Sequence, residues 1–243
     1  TYKPHTNIKL SFLLNISQNT YNFIPKTHST TFISLNNIQN FTIYFDGQEK
    51  DVFRTFFGAL SAKYQVNDKL NLGLTVSSFY TDERVNYDIE GEYWLNEVSS
   101  LGGGDSKQTG VGNYYEHARN TMSSVVAKVS HDGVYNFNEN NDLKWGLEYV
   151  YERVNEHVNE WELRDSSGYS IPYTPDVNLY YKLTANNFLA ESKLRAYIQD
   201  TYRWHLNKGG MISFTGGVRM NYWTFNNEFT VSPRVVIAYF PDI

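Results

Sequence analysis

The sequence predicts an all-β fold: an antiparallel transmembrane β-barrel of about eight strands. Three observations predict it. Apolar and polar residues alternate with period two over stretches of ten or more residues, which is the signature of a strand with one apolar and one polar face. The 243 residues are 41% hydrophobic and 16% aromatic, with 20 Tyr, 15 Phe and 5 Trp, yet mean hydropathy is −0.51. That combination fits strands whose alternation averages to a polar value, and it fits poorly with a globular core. Finally, short polar turns on one side alternate with long polar segments on the other, the asymmetry of barrels that cross an outer membrane.

The alternation is clearest between Met211 and Tyr222. Ile212, Phe214, Val218, Met220 and Tyr222 share one face, and Ser213, Thr215, Arg219 and Asn221 the other. Leu70, Leu72, Leu74 and Val76 oppose Asn71, Thr75 and Ser77 in the same way. Leu143, Trp145, Leu147, Tyr149 and Tyr151 oppose Lys144, Glu148 and Glu152. Leu194, Ala196, Ile198, Tyr202 and Trp204 oppose Lys193, Arg195, Gln199 and Arg203, with Asp200 interrupting the apolar face. Strands this long suit a tilted membrane crossing that continues beyond the bilayer. The expected strands cover about 8–20, 52–66, 69–90, 120–137, 142–164, 188–204, 210–226 and 231–240. Short turns are expected at Pro4–Asn7, Asn67–Lys69, Asn138–Asp142 and Asn207–Gly210, and long loops at 19–50, 92–119 and 165–187. Tyr64, Tyr80, Tyr202, Trp204, Tyr222 and Trp223 fall near strand ends, where rings anchor a barrel at the membrane interfaces. No helix and no domain boundary is expected, so 1–243 is read as a single segment.

Several chemistries find no support. No stretch approaches the ~20 apolar residues of a membrane helix. Net charge is −5, from 21 Lys+Arg against 26 Asp+Glu, without the basic stripe of a nucleic-acid binder. The absence of Cys removes disulfide frameworks and thiolate zinc sites. None of the six His is spaced as a zinc motif, and no nucleophile elbow or phosphate loop occurs. No cofactor, metal or catalytic residue is expected, and the chain is read as a non-enzyme. Glu148, Glu152, Glu156 and Glu160 recur on the polar face of one strand and are expected to line a lumen and its rim.

Three stretches carry a resemblance: Phe45-Asp46-Gly47-Gln48-Glu49-Lys50-Asp51 with Thr55-Phe56-Phe57-Gly58-Ala59-Leu60; Tyr87-Asp88-Ile89-Glu90-Gly91-Glu92-Tyr93-Trp94-Leu95; and Ala196-Tyr197-Ile198-Gln199-Asp200-Thr201-Tyr202. Gly217-Val218-Arg219-Met220-Asn221-Tyr222-Trp223 and Ser232-Pro233-Arg234 extend it. In order and spacing these resemble the barrel of TonB-dependent outer-membrane receptors of the Bacteroidetes type. The resemblance implies a plugged barrel of about 22 strands in the bacterial outer membrane. It implies import of a bulky nutrient such as a siderophore or glycan. The partners it implies are membrane lipid, the receptor's own plug domain, the TonB–ExbB–ExbD complex and a surface lipoprotein. No plug domain is recognisable in the chain, which the resemblance makes a partial barrel: an internal fragment with about eight strands of a larger barrel.

On this reading Arg195, Arg203, Arg219 and Arg234, with Glu148 and Glu152, face the lumen and the plug. Tyr93, Trp94, Tyr114, Tyr115, Trp161, Tyr169 and Tyr173 form a ligand-capturing loop surface, since rings offer flat stacking faces at low entropic cost. Two other readings remain open: a self-contained eight-stranded outer-membrane barrel with an adhesive or structural role, and a soluble β-rich enzyme acting on glycans through paired carboxylates.

Overall fold

A computed structural model describes residues 1–33, 37–99, 107–165, 177–207 and 209–241. The strands are β1 (Tyr2–His5), β2 (Ile8–Phe23), β3 (His28–Ile33), β4 (Asn37–Gln65) and β5 (Leu70–Ser99). They continue as β6 (Lys107–Asn138), β7 (Asn141–Asp165), β8 (Asn178–His205), β9 (Met211–Trp223) and β10 (Glu228–Phe240). All belong to one antiparallel sheet in the order β1-β2-β4-β5-β6-β7-β8-β9-β10, with β3 paired to the upper end of β4. The fold is that of a partial β-barrel: every long strand pairs with its sequence neighbour, as a meander requires. The eight expected strands are present as β2 and β4–β10, and the short β1 and β3 add to them.

The short turns lie where the Asn-rich sequence places them. Asn67 Oδ1 accepts hydrogen bonds from the Lys69 and Leu70 amides at 2.9 Å, closing the β4–β5 hairpin. Asn138 Oδ1 accepts from the Asn140 amide at 2.9 Å between β6 and β7. Both use a side-chain carbonyl in place of a backbone one, the role Asn fills in tight turns. Gly209 and Gly210, both at φ +86, turn β8 into β9.

The long segments on the other side differ from expectation. Residues 37–50, 92–99, 107–119 and 178–187 are strand, because β4 runs to 29 residues, β5 to 30, β6 to 32 and β8 to 28. Apolar alternation marks a strand only where one face meets hydrocarbon. Beyond the bilayer both faces meet water, so the ladder continues while its hydropathy signal fades.

Register turns the alternation into a continuous band. Phe12 pairs with Leu60, Leu60 with Val76, Val76 with Val129 and Val129 with Tyr149. Tyr149 pairs with Leu194, Leu194 with Tyr222 and Tyr222 with Phe229. Residues paired in this way share a face. Phe12 is 67% exposed, Leu60 54%, Val129 44% and Phe229 61%. Only Ile89, Ala118 and Val150 are buried hydrophobics among the described residues. A protein that hides almost no apolar side chain while displaying a band of them across its whole sheet has its core inverted: hydrocarbon, and not water, is the solvent of that face.

Asp200, the break in this band, pairs with Leu143 and is followed toward the short turn by Tyr202 and Trp204 on the same face. Asn141 Nδ2 donates to both its carboxylate oxygens, at 2.9 and 3.1 Å.

Candidate functional site: the lumenal wall

The face opposite the band is polar and ion-paired. Glu148 and Arg195 are register partners on β7 and β8, and Arg195 Nη1 donates to Glu148 Oε1 at 2.7 Å. Lys128 on β6 contacts the other oxygen of the same carboxylate. Higher on the wall, Lys193 Nζ bridges Glu152 at 2.8 Å and Glu191 at 2.9 Å and lies 5.1 Å from the centre of the Trp223 ring. Near the short turns, Arg203 approaches Asp142 at 2.5 Å and Lys144 does so at 3.6 Å. Asp142 and Glu191 are each 5% exposed, so these cations compensate charges withdrawn from water.

Glycines hold this wall close to its aromatics. A Cβ on Gly146 would stand 2.3 Å from the ring of Tyr197, its register partner on β8. The ring covers the backbone that a larger residue would hide, a pairing that protects a glycine within a sheet.

Arg219 and Arg234 differ from the other two arginines. With Arg195, Glu148, Tyr197 and Asn221 they line a groove of about 470 Å³. Among the described residues neither has a carboxylate within ion-pair distance. On this face Arg219 and Arg234 thus stand outside any ion pair among the described residues, while Arg195 and Arg203 are each paired with a carboxylate.

Of the aromatics expected to form one loop surface, Tyr93, Trp94, Tyr114, Tyr115 and Trp161 are among the described residues; they sit on strands and divide between two faces. Tyr93 and Tyr114 lie on the face opposite the band, where Tyr93 stacks on Phe41 at 5.8 Å and meets Tyr114 at a tilt of 34°, also at 5.8 Å. Burial pushes the Tyr114 phenol up to about 12, helped by Tyr93, Glu116 and Glu162. Burial and the neighbouring Glu162 carboxylate also raise Glu116, against the pull of Arg164. Arg164, ion-paired to Glu162, stands 3.8 Å over the Tyr180 ring.

Trp94, Tyr115 and Trp161 lie on the outward face. Trp161 stacks on His117 at 4.7 Å and meets Tyr115 at 5.3 Å, and Trp94 Nε1 donates to Glu92 at 3.1 Å. His117 Nδ1 donates to Asp88 at 2.6 Å, and Arg119 pairs with the same carboxylate. Burial raises Asp88, but the hydrogen bonds from Arg119 and His117 outweigh it and hold its carboxyl below the usual carboxylate value. Tyr169 and Tyr173 lie outside the described residues. Lys128 and Glu191 were not singled out from the sequence, and Lys193 only as a member of a polar face, because nothing local marks their roles. Their partners stand on neighbouring strands.

The family model described as TonB dependent receptor-like, beta-barrel matches residues 2–243. The chain belongs to that family. TonB-dependent receptors are outer-membrane transporters, and the chain is part of the barrel of one. A search of curated proteins found no match. The receptor family is one of transporters and not of enzymes. Among the described residues no group of three or more His, Cys, Asp or Glu is placed to hold a metal ion.

Proposed function

We propose that this segment is part of the wall of an importer for a bulky nutrient, with ligand passing along the lumenal face while the plug is docked against it. The observation that carries this reading is the pairing of an unbroken apolar band with a charged, aromatic-lined opposite face over the same strands. A closed eight-stranded barrel would fill its interior with its own side chains. Here Arg219 and Arg234 instead face a groove without a partner among the described residues. They are the positions at which acidic side chains of a plug would anchor. Tyr93, Tyr114 and Phe41, rings on the lumenal side of the extramembrane extension, are where an incoming ligand would stack. A siderophore or a glycan fits such rings equally well.

The chain contributes no Cys of its own, so single-cysteine labelling tests the facing without background from this segment. In the membrane-embedded receptor, Cys replacing Leu147 or Tyr149 is expected to react with a lipid-soluble maleimide only. Cys replacing Arg219 should react with a small water-soluble one, and more readily after the plug is deleted. Equal labelling at all three positions by the water-soluble reagent would remove the membrane wall. Labelling of the Arg219 position that does not depend on the plug would remove the docking assignment alone.

A further inference from the structure

Above the level of Lys193 the wall stops neutralising its carboxylates. Lower down, Glu148, Glu152, Glu191 and Asp142 each meet a Lys or Arg. Higher on the same face, opposite the band, the ranks run Glu83–Met122–Glu156–Asn187, Asp51–Val85–Asn120, Glu49–Tyr87–Ala118–Glu160 and Ile89–Glu116–Glu162–Tyr181. No Lys or Arg stands in these ranks. Arg164, one rank above, is paired with Glu162. The cations of the same strands, Lys50, Arg54, Arg84, Arg119, Arg153 and Lys182, stand on the other face. Simple solvation would scatter both signs over both faces.

Two features mark these carboxylates as lacking a partner. Glu116 and Glu162 are direct register partners, and like charges directly opposite destabilise a ladder. Asp51 lies in the middle of the ranks, beside Glu49 on the same face of β4, and is only 7% exposed. Its Oδ1 has no hydrogen-bond partner among the described residues. A buried carboxylate oxygen without a donor or cation is costly, so Asp51 points to a partner that the wall does not supply. Burial and the neighbouring Asp51 charge also push the Glu49 carboxyl up. Neutral rings lie among the acids. Burial, helped by Glu160, Glu116 and Glu49, pushes the Tyr87 phenol up to about 12, and Tyr93 and Tyr114 follow above it on the same face.

We propose that these ranks, lumenal on the importer reading on which this inference rests, select a cargo carrying a row of ammonium or guanidinium groups, as an extended basic peptide does. Rings alone admit several cargoes, and charge narrows them. Same-face carboxylates of one strand, Glu49 and Asp51 or Glu160 and Glu162, recur about every 7 Å. That is also the interval between alternate side chains of an extended peptide. Among the described residues no three of them are placed to hold a metal ion, so separate cations spread along the wall fit better than one bare ion. Incoming cations meet Glu116 and the face of the Tyr114 ring first. They pass to Glu49, Asp51 and Glu160 beside Tyr87, and then to Glu83 and Glu156. A cleft lined by one sign of charge also raises the local concentration of the opposite ion.

The test uses the receptor carrying this chain, reconstituted in nanodiscs and titrated with fluorescein-labelled hexalysine or its side-chain-acetylated form. The wild type should bind the amine form far more tightly. D51N/E116Q/E160Q should weaken that binding by about a hundredfold, roughly fivefold for each ion pair lost. E90Q/E92Q, on the outward face of the same ladder, should leave it unchanged. Should the triple variant fail to fold, Glu116→Gln alone, which relieves the repulsion with Glu162, should weaken binding about fivefold. Equal affinity for the two probes, or a triple variant that binds like the wild type, overturns the proposal. So does binding that appears only after the plug is deleted, which would assign these ranks to the plug. On the same preparation, Cys replacing Leu147 and Cys replacing Arg219 receive the water-soluble maleimide. Labelling at the Leu147 position would remove the membrane wall and the proposal with it, whereas labelling confined to the Arg219 position, with no preference for amines, defeats only the basic cargo.

Discussion

Arg195 reaches Glu148 at 2.7 Å from the residue directly across the β7–β8 ladder, and Lys128 reaches the same carboxylate from the β6 side. One anion thus holds three strands together through two cations. Replacing Glu148 by Gln would leave Lys128 and Arg195 facing each other unscreened. Since both cation side chains are about half exposed, at 40% and 50%, solvent absorbs much of the penalty. We expect a loss of about 1 kcal/mol. The check is the urea midpoint of the receptor folded in lipid vesicles, and Glu148→Lys should cost more than Glu148→Gln.

Lys193 should matter more than its counterpart Arg195. It serves two carboxylates, and one of them, Glu191, is 5% exposed. Lys193→Met therefore strands a buried negative charge beside Glu152, and a loss of about 3 kcal/mol is expected. Lys193→Met combined with Glu191→Gln should recover much of it. No recovery in the double variant would mean that the packing of Lys193 on Trp223, and not its charge, is what stabilises this site.

The lipid-facing assignment makes a sharp prediction about arginine. Leu147 is 50% exposed on the band, while its chain neighbour Glu148 faces the lumen. Leu147→Arg should destabilise the receptor in a bilayer by about 2–4 kcal/mol. Ser130→Arg, on the lumenal face of β6, should cost far less. Folding free energies in vesicles distinguish the two. Similar costs at both positions would contradict the two-faced wall.

Asp88 ties together Tyr115, His117 and Arg119 above the membrane. Its carboxyl ionises more easily in the folded protein than its ordinary value of 3.8. A depressed folded pKa contributes stability that is present above the unfolded value and is lost as pH falls through the folded one. The His117–Trp161 stack should therefore stay intact at about pH 5–7 and loosen below about pH 3.8. Fluorescence of Trp161, with the other tryptophans replaced by Phe, reads the change. Asp88→Asn should remove the acid transition, and persistence of the same transition in that variant would assign it elsewhere.

Gly146 tests the packing of the wall. A valine there would drive its Cβ into the Tyr197 ring, to a separation of 2.3 Å that neither residue can accept without moving. Overpacking of this kind costs about 1–3 kcal/mol. Tyr197→Ala should relieve most of it in a Gly146→Val background, as measured by the unfolding midpoint of the pair against each single variant.

What the sequence alone determined is what neighbours along the chain decide. Period-two alternation names the faces of Leu143–Tyr151 and Met211–Tyr222 because successive side chains of a strand must point to opposite sides. Asn67 and Asn138 mark turns because their side chains bond to amides two or three residues away. That Glu148 and Arg195 share the polar face of their strands was legible for the same reason. The extensions of β4, β5 and β6 were not legible, since beyond the bilayer no hydrocarbon selects for one apolar face.

Only the tertiary structure decided which charges meet. Glu148 and Arg195 are 47 residues apart, and Asp88 and Arg119 are 31 apart. Those meetings depend on strand register, and a slip of one residue would send every side chain to the other face. Register also put Tyr93 and Tyr114 on the face opposite the band, and Trp94, Tyr115 and Trp161 on the same face as the band. The sorting of cations outward and carboxylates inward exists only once the long strands are aligned, because no single strand carries enough charge to display it.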